Sequence, residues 1–85
     1  MPRFYFHIRS DFGFAPDEEG RDLPDGRAAV EEALRAARYI MRAPTGQQHG
    51  AWRGWIIQVA DYHGGLVFVL PFSSVLEISK KDRKA

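Results

Sequence analysis

The side chains through which this chain could do chemistry are three histidines, His7, His49 and His63, and a band of acids. Asp11, Asp17, Glu18, Glu19, Asp22 and Asp25 crowd one stretch, offset there only by Arg21, and Asp61 stands two residues before His63. A histidine-ligated metal site announces itself by short repeats such as H-x-x-x-H or H-x-H. These histidines are instead scattered over a strand, a glycine-rich connection and a turn. Calcium asks for regularly spaced oxygens and a distal glutamate, a spacing that Asp17, Glu18, Glu19 and Asp22 do not have. Gly64-Gly65 reads as a hairpin turn rather than a phosphate cradle, because no helix follows it. Ser73-Ser74 has no obvious base, and a hydrolytic site would have to be assembled in three dimensions from His7, Asp61 and a serine. The expectation is therefore no enzyme, no cofactor and no metal site. His7 reads as a half-buried strand residue that makes a hydrogen bond or a subunit contact.

The composition narrows the field further. Eighty-five residues make one domain, and 45% hydrophobic with 13% aromatic content is enough to build a core. The absence of cysteine removes disulfides, thiolate catalysis and cysteine-based zinc sites. Twelve basic against eleven acidic residues leave a formal charge of +1, with no global pull toward nucleic acid. The tail Lys80-Lys81-Asp82-Arg83-Lys84 is basic and reads as a flexible, solvated end. The apolar runs are shorter than a membrane span, and Met1-Pro2-Arg3 leads into a strand rather than a secretory leader. A cytoplasmic protein with no membrane partner is expected.

The elements that must position these groups follow from periodicity. Phe4, Phe6 and Ile8 alternate with Tyr5, His7 and Arg9, which makes a first strand with two unlike faces. Ser10 to Gly20 is polar and turn-rich, and Arg21-Asp22-Leu23 returns as a short second strand that Pro24 stops. Asp25 is placed to cap a helix. In that helix Val30, Ala33, Leu34, Ala37 and Met41 form one buried stripe, which Ile40 widens, and Glu31 stands at i, i+4 from Arg35 on the other side. Pro44 ends the helix near Arg42. After the glycine-rich connection from Ala43 to Gly54, two strands form a hairpin in which Val59 faces Phe68, Ile57 faces Leu70 and Trp55 faces Phe72. An even-length loop at His63-Gly64 or over Tyr62 to Gly65 keeps the large residues on one face. The resulting fold class is α+β, a two-layer β-β-α-β-β domain over 1–78, with a mainly antiparallel four-stranded sheet and one helix on one face. Residues 79–85 form the basic flexible tail.

One helix covers one face. The inner set is Phe4, Phe6, Ile8, Trp55, Ile57, Val59, Phe68 and Leu70. The outer set, Tyr5, His7, Arg9, Ile56, Gln58, Ala60, Val67 and Val69, is half apolar, more than an open sheet usually shows to water. Tyr5, His7, Arg9, Ile56, Gln58, Val67 and Val69 are therefore the candidate partner-binding residues. The reading is a non-enzymatic protein-interaction or regulatory module that self-associates as a homodimer or docks on a protein partner through this face. Tyr5, His7 and Arg9, with Arg3 beside them, offer a second use, stacking and phosphate contact with single-stranded nucleic acid. Only one ring there is well placed for stacking, and no basic groove emerges.

The run Arg3-Phe4-Tyr5-Phe6-His7, the turn Asp17-Glu18-Glu19-Gly20, Leu23-Pro24-Asp25, the alanine-rich helix, Trp55-x-Ile57-x-Val59-x-Asp61 and Leu70-Pro71-Phe72 together resemble a small uncharacterised alphaproteobacterial domain family. Its signature is an R-[FY]-[FY]-F-H start, a D-x-x-G acidic turn and a V-x-D-x-x-G hairpin ending L-P-F. The resemblance runs from Arg3 to about Ile78 and implies domain boundaries and a bacterial cytoplasmic setting, but no activity. A weaker likeness is to antitoxin domains of the HicB type, through Pro24-Asp25 and Glu32-Ala33. It implies an antitoxin-like regulator, although here two strands follow the helix and no DNA-binding segment is appended.

Overall fold

The computed structural model describes residues 1–42 and 52–75. Most of the glycine-rich connection, His49 within it, the boundary at 78 and the basic tail over 79–85 lie outside the described residues. In chain order the elements are β1 (Arg3–Ser10), β2 (Gly13–Ala15), β3 (Arg21–Asp22), α1 (Gly26–Arg42), β4 (Ile56–Ala60) and β5 (Leu66–Pro71). The strands run in the order β2-β1-β4-β5, each neighbouring pair is antiparallel, and β3 also pairs with β1. The α+β class expected from the sequence is the one observed. One strand more than expected lies between β1 and the helix. Gly13-Phe14-Ala15 sits inside a polar, turn-rich stretch, and it forms β2 rather than a loop.

The helix begins where its cap requires, with the Ala28 N–H donating to Asp25 Oδ1 at 2.9 Å. It ends at Arg42. Its buried stripe is rotated from the expected one and centres on Ala29, Ala33 and Ala37, which have no exposed surface. Leu34, Ile40 and Met41 flank that line and are only partly buried. Three alanines let the helix backbone approach the sheet closely, so the smallest side chains take the line of contact and the larger ones wedge in beside it. On the other side Arg35 pairs with Glu32 rather than with Glu31, and Arg21 pairs with the same carboxylate.

The β4–β5 hairpin has the expected face-to-face pairs, Ile57 with Leu70 and Val59 with Phe68, and the Phe72 N–H donates to the Trp55 carbonyl at 2.9 Å. Its loop is not even-length. Asp61 N–H donates to the Gly65 carbonyl, which leaves three residues, Tyr62, His63 and Gly64, at the tip. Gly64 has a φ of +85°, the left-handed residue that a three-residue hairpin loop needs. An odd loop would send the wrong side chains inward. A register shift between Val59 and Ala60, where Leu66 pairs with Ala60 and Phe68 with Val59, absorbs the extra residue at Val67. The core therefore closes around Phe72, Ile57, Leu70, Val59 and Val75, all essentially without exposed surface.

Candidate interaction face

The candidate face is built on β1, the central strand. On one edge Tyr5 to Arg9 pair with β4. On the other edge Arg3 and Phe4 pair with β3, and Ile8 to Ser10 pair with β2. Between those two short partners, among the described residues, no strand lies beside Phe6 on this edge. Antiparallel alternation aims its N–H into that gap, and the Asp17 carboxylate fills it, with Oδ2 accepting the Phe6 N–H at 3.0 Å. The other oxygen, Oδ1, accepts the N–H groups of Glu19 and Gly20, each at 3.2 Å. The Asp17 N–H in turn donates to His7 Nδ1 at 2.9 Å. That bond makes Nδ1 an acceptor and assigns the ring proton of the neutral imidazole to Nε2.

Asp17 is thus a side-chain rung in the sheet. Partial desolvation pushes its carboxyl up, but the N–H donors of Phe6, Gly20 and Glu19 outweigh that and hold it below the ordinary aspartate value. Gly20 completes the turn. It has a φ of +74°, and a Cβ there would sit 2.8 Å from Tyr5 Cε2, 2.9 Å from Arg3 Cγ and 3.0 Å from the Phe4 carbonyl oxygen. A larger residue would have to displace the Tyr5 and Arg3 side chains and adopt a left-handed backbone that side chains disfavour. The second D-x-x-G run repeats the device. Asp61 Oδ1 accepts the N–H groups of His63 at 2.9 Å and Gly65 at 2.8 Å, and Gly64 takes the left-handed position. Both carboxylates accept backbone N–H groups and fix turns.

On the face away from α1, cross-strand pairing sets His7 beside Gln58 and Gln58 beside Val69, with Arg9 beside Ile56 in the next row. Tyr5, His7, Ile56, Gln58 and Val69 are half-buried, and Arg9 is exposed. Six of the seven expected residues therefore share one surface. Val67 is the exception, because the register shift takes it out of the alternation and its Cγ1 lies 3.9 Å from where a Cβ on Gly26, at the start of the helix, would be. Phe14 joins the face unannounced by the sequence reading. It pairs with Arg9, its ring centroid lies 5.5 Å from that of His7, and the Arg9 guanidinium sits 5.0 Å over the ring. Tyr5 stacks on the other side of His7, with centroids 6.4 Å apart and planes within 11°. The result is a row of rings, Tyr5, His7 and Phe14, along β1. Phe12, at the tip of the β1–β2 hairpin, is 93% exposed. The signal for Phe14 was the aromatic-glycine-aromatic alternation itself.

His7 Nδ1 is taken by the Asp17 backbone, and Asp61 binds backbone N–H groups rather than an imidazole. Among the described residues no three His, Asp or Glu side chains come together as metal ligands. A cleft between the Asp17–Gly20 turn and α1, lined by Phe6, Asp17, Glu19, Gly20, Arg21, Glu32 and Ala36, encloses about 180 Å³. That is smaller than the usual small-molecule pocket of roughly 300–1,000 Å³, and the Arg21–Glu32 ion pair lies within its lining. Among the described residues no helix is long and apolar enough to cross a membrane.

The model of a domain family of unknown function, DUF6894, matches residues 3–73. No curated protein and no solved structure matches the chain.

Proposed function

The chain belongs to the DUF6894 family, and we propose that it is a non-enzymatic protein-interaction or regulatory module whose open sheet face receives a protein, either a cognate partner or a second copy. The observation that carries this reading is the row Tyr5–His7–Phe14 beside Gln58, Ile56 and Val69, a half-apolar surface on the side of the sheet without the helix. Aromatic rings on a rigid strand bring large contact area at little conformational cost, as binding surfaces require. The Asp17 rung supports the same reading, since it locks β1 and the His7 ring before any partner arrives.

Gln58 lies at the centre of that face on an interior strand, so Gln58→Lys places a charge under a partner without touching the core. The protein retained by immobilised wild-type chain is expected to bind the variant about tenfold more weakly or less, with an unchanged far-UV spectrum. Equal retention by both would contradict the reading. The ring row also favours one second reading, a stacking platform for single-stranded nucleic acid in an antitoxin-like or other regulator. Against it, Arg9 is engaged with Phe14 and Arg3 with Asp22 at 2.9 Å. Fluorescence polarisation with a labelled single strand separates the two, because only phosphate contact gives a steep loss of binding with salt.

A further inference from the structure

We propose that the outer edge of β5 is a self-association site, at which β5 of a second copy pairs antiparallel about a two-fold axis perpendicular to the sheet. This surface is distinct from the open face and does not depend on what that face binds. Among the described residues no strand lies beyond β5. The strand, Leu66-Val67-Phe68-Val69-Leu70-Pro71, carries no charge, whereas edge strands that must stay single usually present lysine or an inward charge. Its large aliphatics are left in water, with Leu66 62% and Val67 40% exposed.

The backbone fixes the register. Phe72 and Trp55 stand directly opposite and are hydrogen-bonded, so by alternation Leu70 and Phe68 also turn their polar groups toward β4. Val69 between them turns its N–H and C=O outward. The register shift at Val67 and the missing N–H of Pro71 bound the usable edge on either side. Within that window the pairing consistent with the faces sets Val69 against Val69 of the second copy. The two then exchange a reciprocal pair of N–H···O=C bonds. Phe68 of each copy comes opposite Leu70 of the other on the helix side. A strand paired with itself in this way is its own complement, the condition for a closed two-fold dimer. Both helices then lie on one side of a continuous sheet, and both open faces lie on the other.

Sedimentation equilibrium and amide exchange on the full chain test this. The wild type is expected to be dimeric at high micromolar concentration, and so is Gln58→Lys, whose side chain stands on the open face of β4, one strand in from the pairing edge. Val69→Pro removes the outward donor while sparing the β4 ladder and is expected to be monomeric with an unchanged far-UV spectrum. Should that variant fail to fold, the wild type alone decides, since its Val69 amide must gain protection as concentration rises. A wild-type monomer, a folded Val69→Pro dimer, a Gln58→Lys monomer, or a Val69 amide that exchanges freely at every concentration would each overturn the proposal.

Discussion

Phe72→Ala is expected to cost about 3–5 kcal/mol, the range for truncating a buried aromatic side chain. Phe72 has no exposed surface, meets the Trp55 ring edge-on with centroids 5.8 Å apart, and donates its N–H to the Trp55 carbonyl. It follows directly on Pro71, where the ladder ends and a helical turn over 72–75 begins, so its ring pins the point at which the chain leaves the sheet. A domain of this size holds roughly 3–5 kcal/mol in all. The variant is therefore expected to be largely unfolded at room temperature, as read by urea denaturation with circular dichroism. A loss below about 1 kcal/mol would show that this corner collapses around the cavity and that Phe72 is not an anchor.

Asp17→Asn is expected to cost about 2–3 kcal/mol, in the range of hydrogen bonds made to a charged acceptor. Asparagine keeps one acceptor oxygen but turns an NH₂ toward one of the N–H groups that the carboxylate now holds, those of Phe6, Glu19 and Gly20. The pH dependence has a definite sign. The folded carboxyl lies below its ordinary value of about 3.9. Its contribution is therefore complete above that value and disappears as pH falls through the lower, folded one. Urea denaturation at neutral pH and at successively lower pH is expected to show the wild type losing its advantage over Asp17→Asn across that acid range only. An advantage that persisted unchanged into strong acid would mean that the carboxylate charge is not what holds the gap in β1.

Much of this architecture is legible in the sequence, for physical reasons that can be named. Strict alternation over Phe4 to Arg9 and over the last hairpin fixes which residues face the core, and Asp25 and Pro44 bracket the helix. The pairs Ile57–Leu70 and Val59–Phe68 follow from that alternation alone. What alternation cannot foresee is an irregularity that cancels itself. The three-residue loop and the bulge at Val67 each break the pattern, and together they restore it, at the expense of the face expected for Val67. The Asp17 rung was out of reach for another reason. Its carboxylate acts across eleven residues on a backbone N–H, and no local pattern encodes where a strand will lack a partner. Phe14 was hidden by its setting, since three residues of alternation among glycine, proline and acids look like loop. The helix stripe was nearly right, but hydrophobicity ranks leucine above alanine, whereas close packing put Ala29, Ala33 and Ala37 on the line of contact.

That a protein covers the open face is tested most directly by oxidative footprinting. Tyr5 and Phe14 report on the face, and Tyr39, 70% exposed on the helix that covers the other side of the sheet, serves as an internal control. Hydroxyl-radical labelling of the dilute purified chain is compared with labelling of the same chain in an extract of its host cells. Tyr5 and Phe14 are expected to become protected in the extract while Tyr39 labels as before, as a covered open face requires. Equal labelling of Tyr5 and Phe14 in both conditions would contradict it.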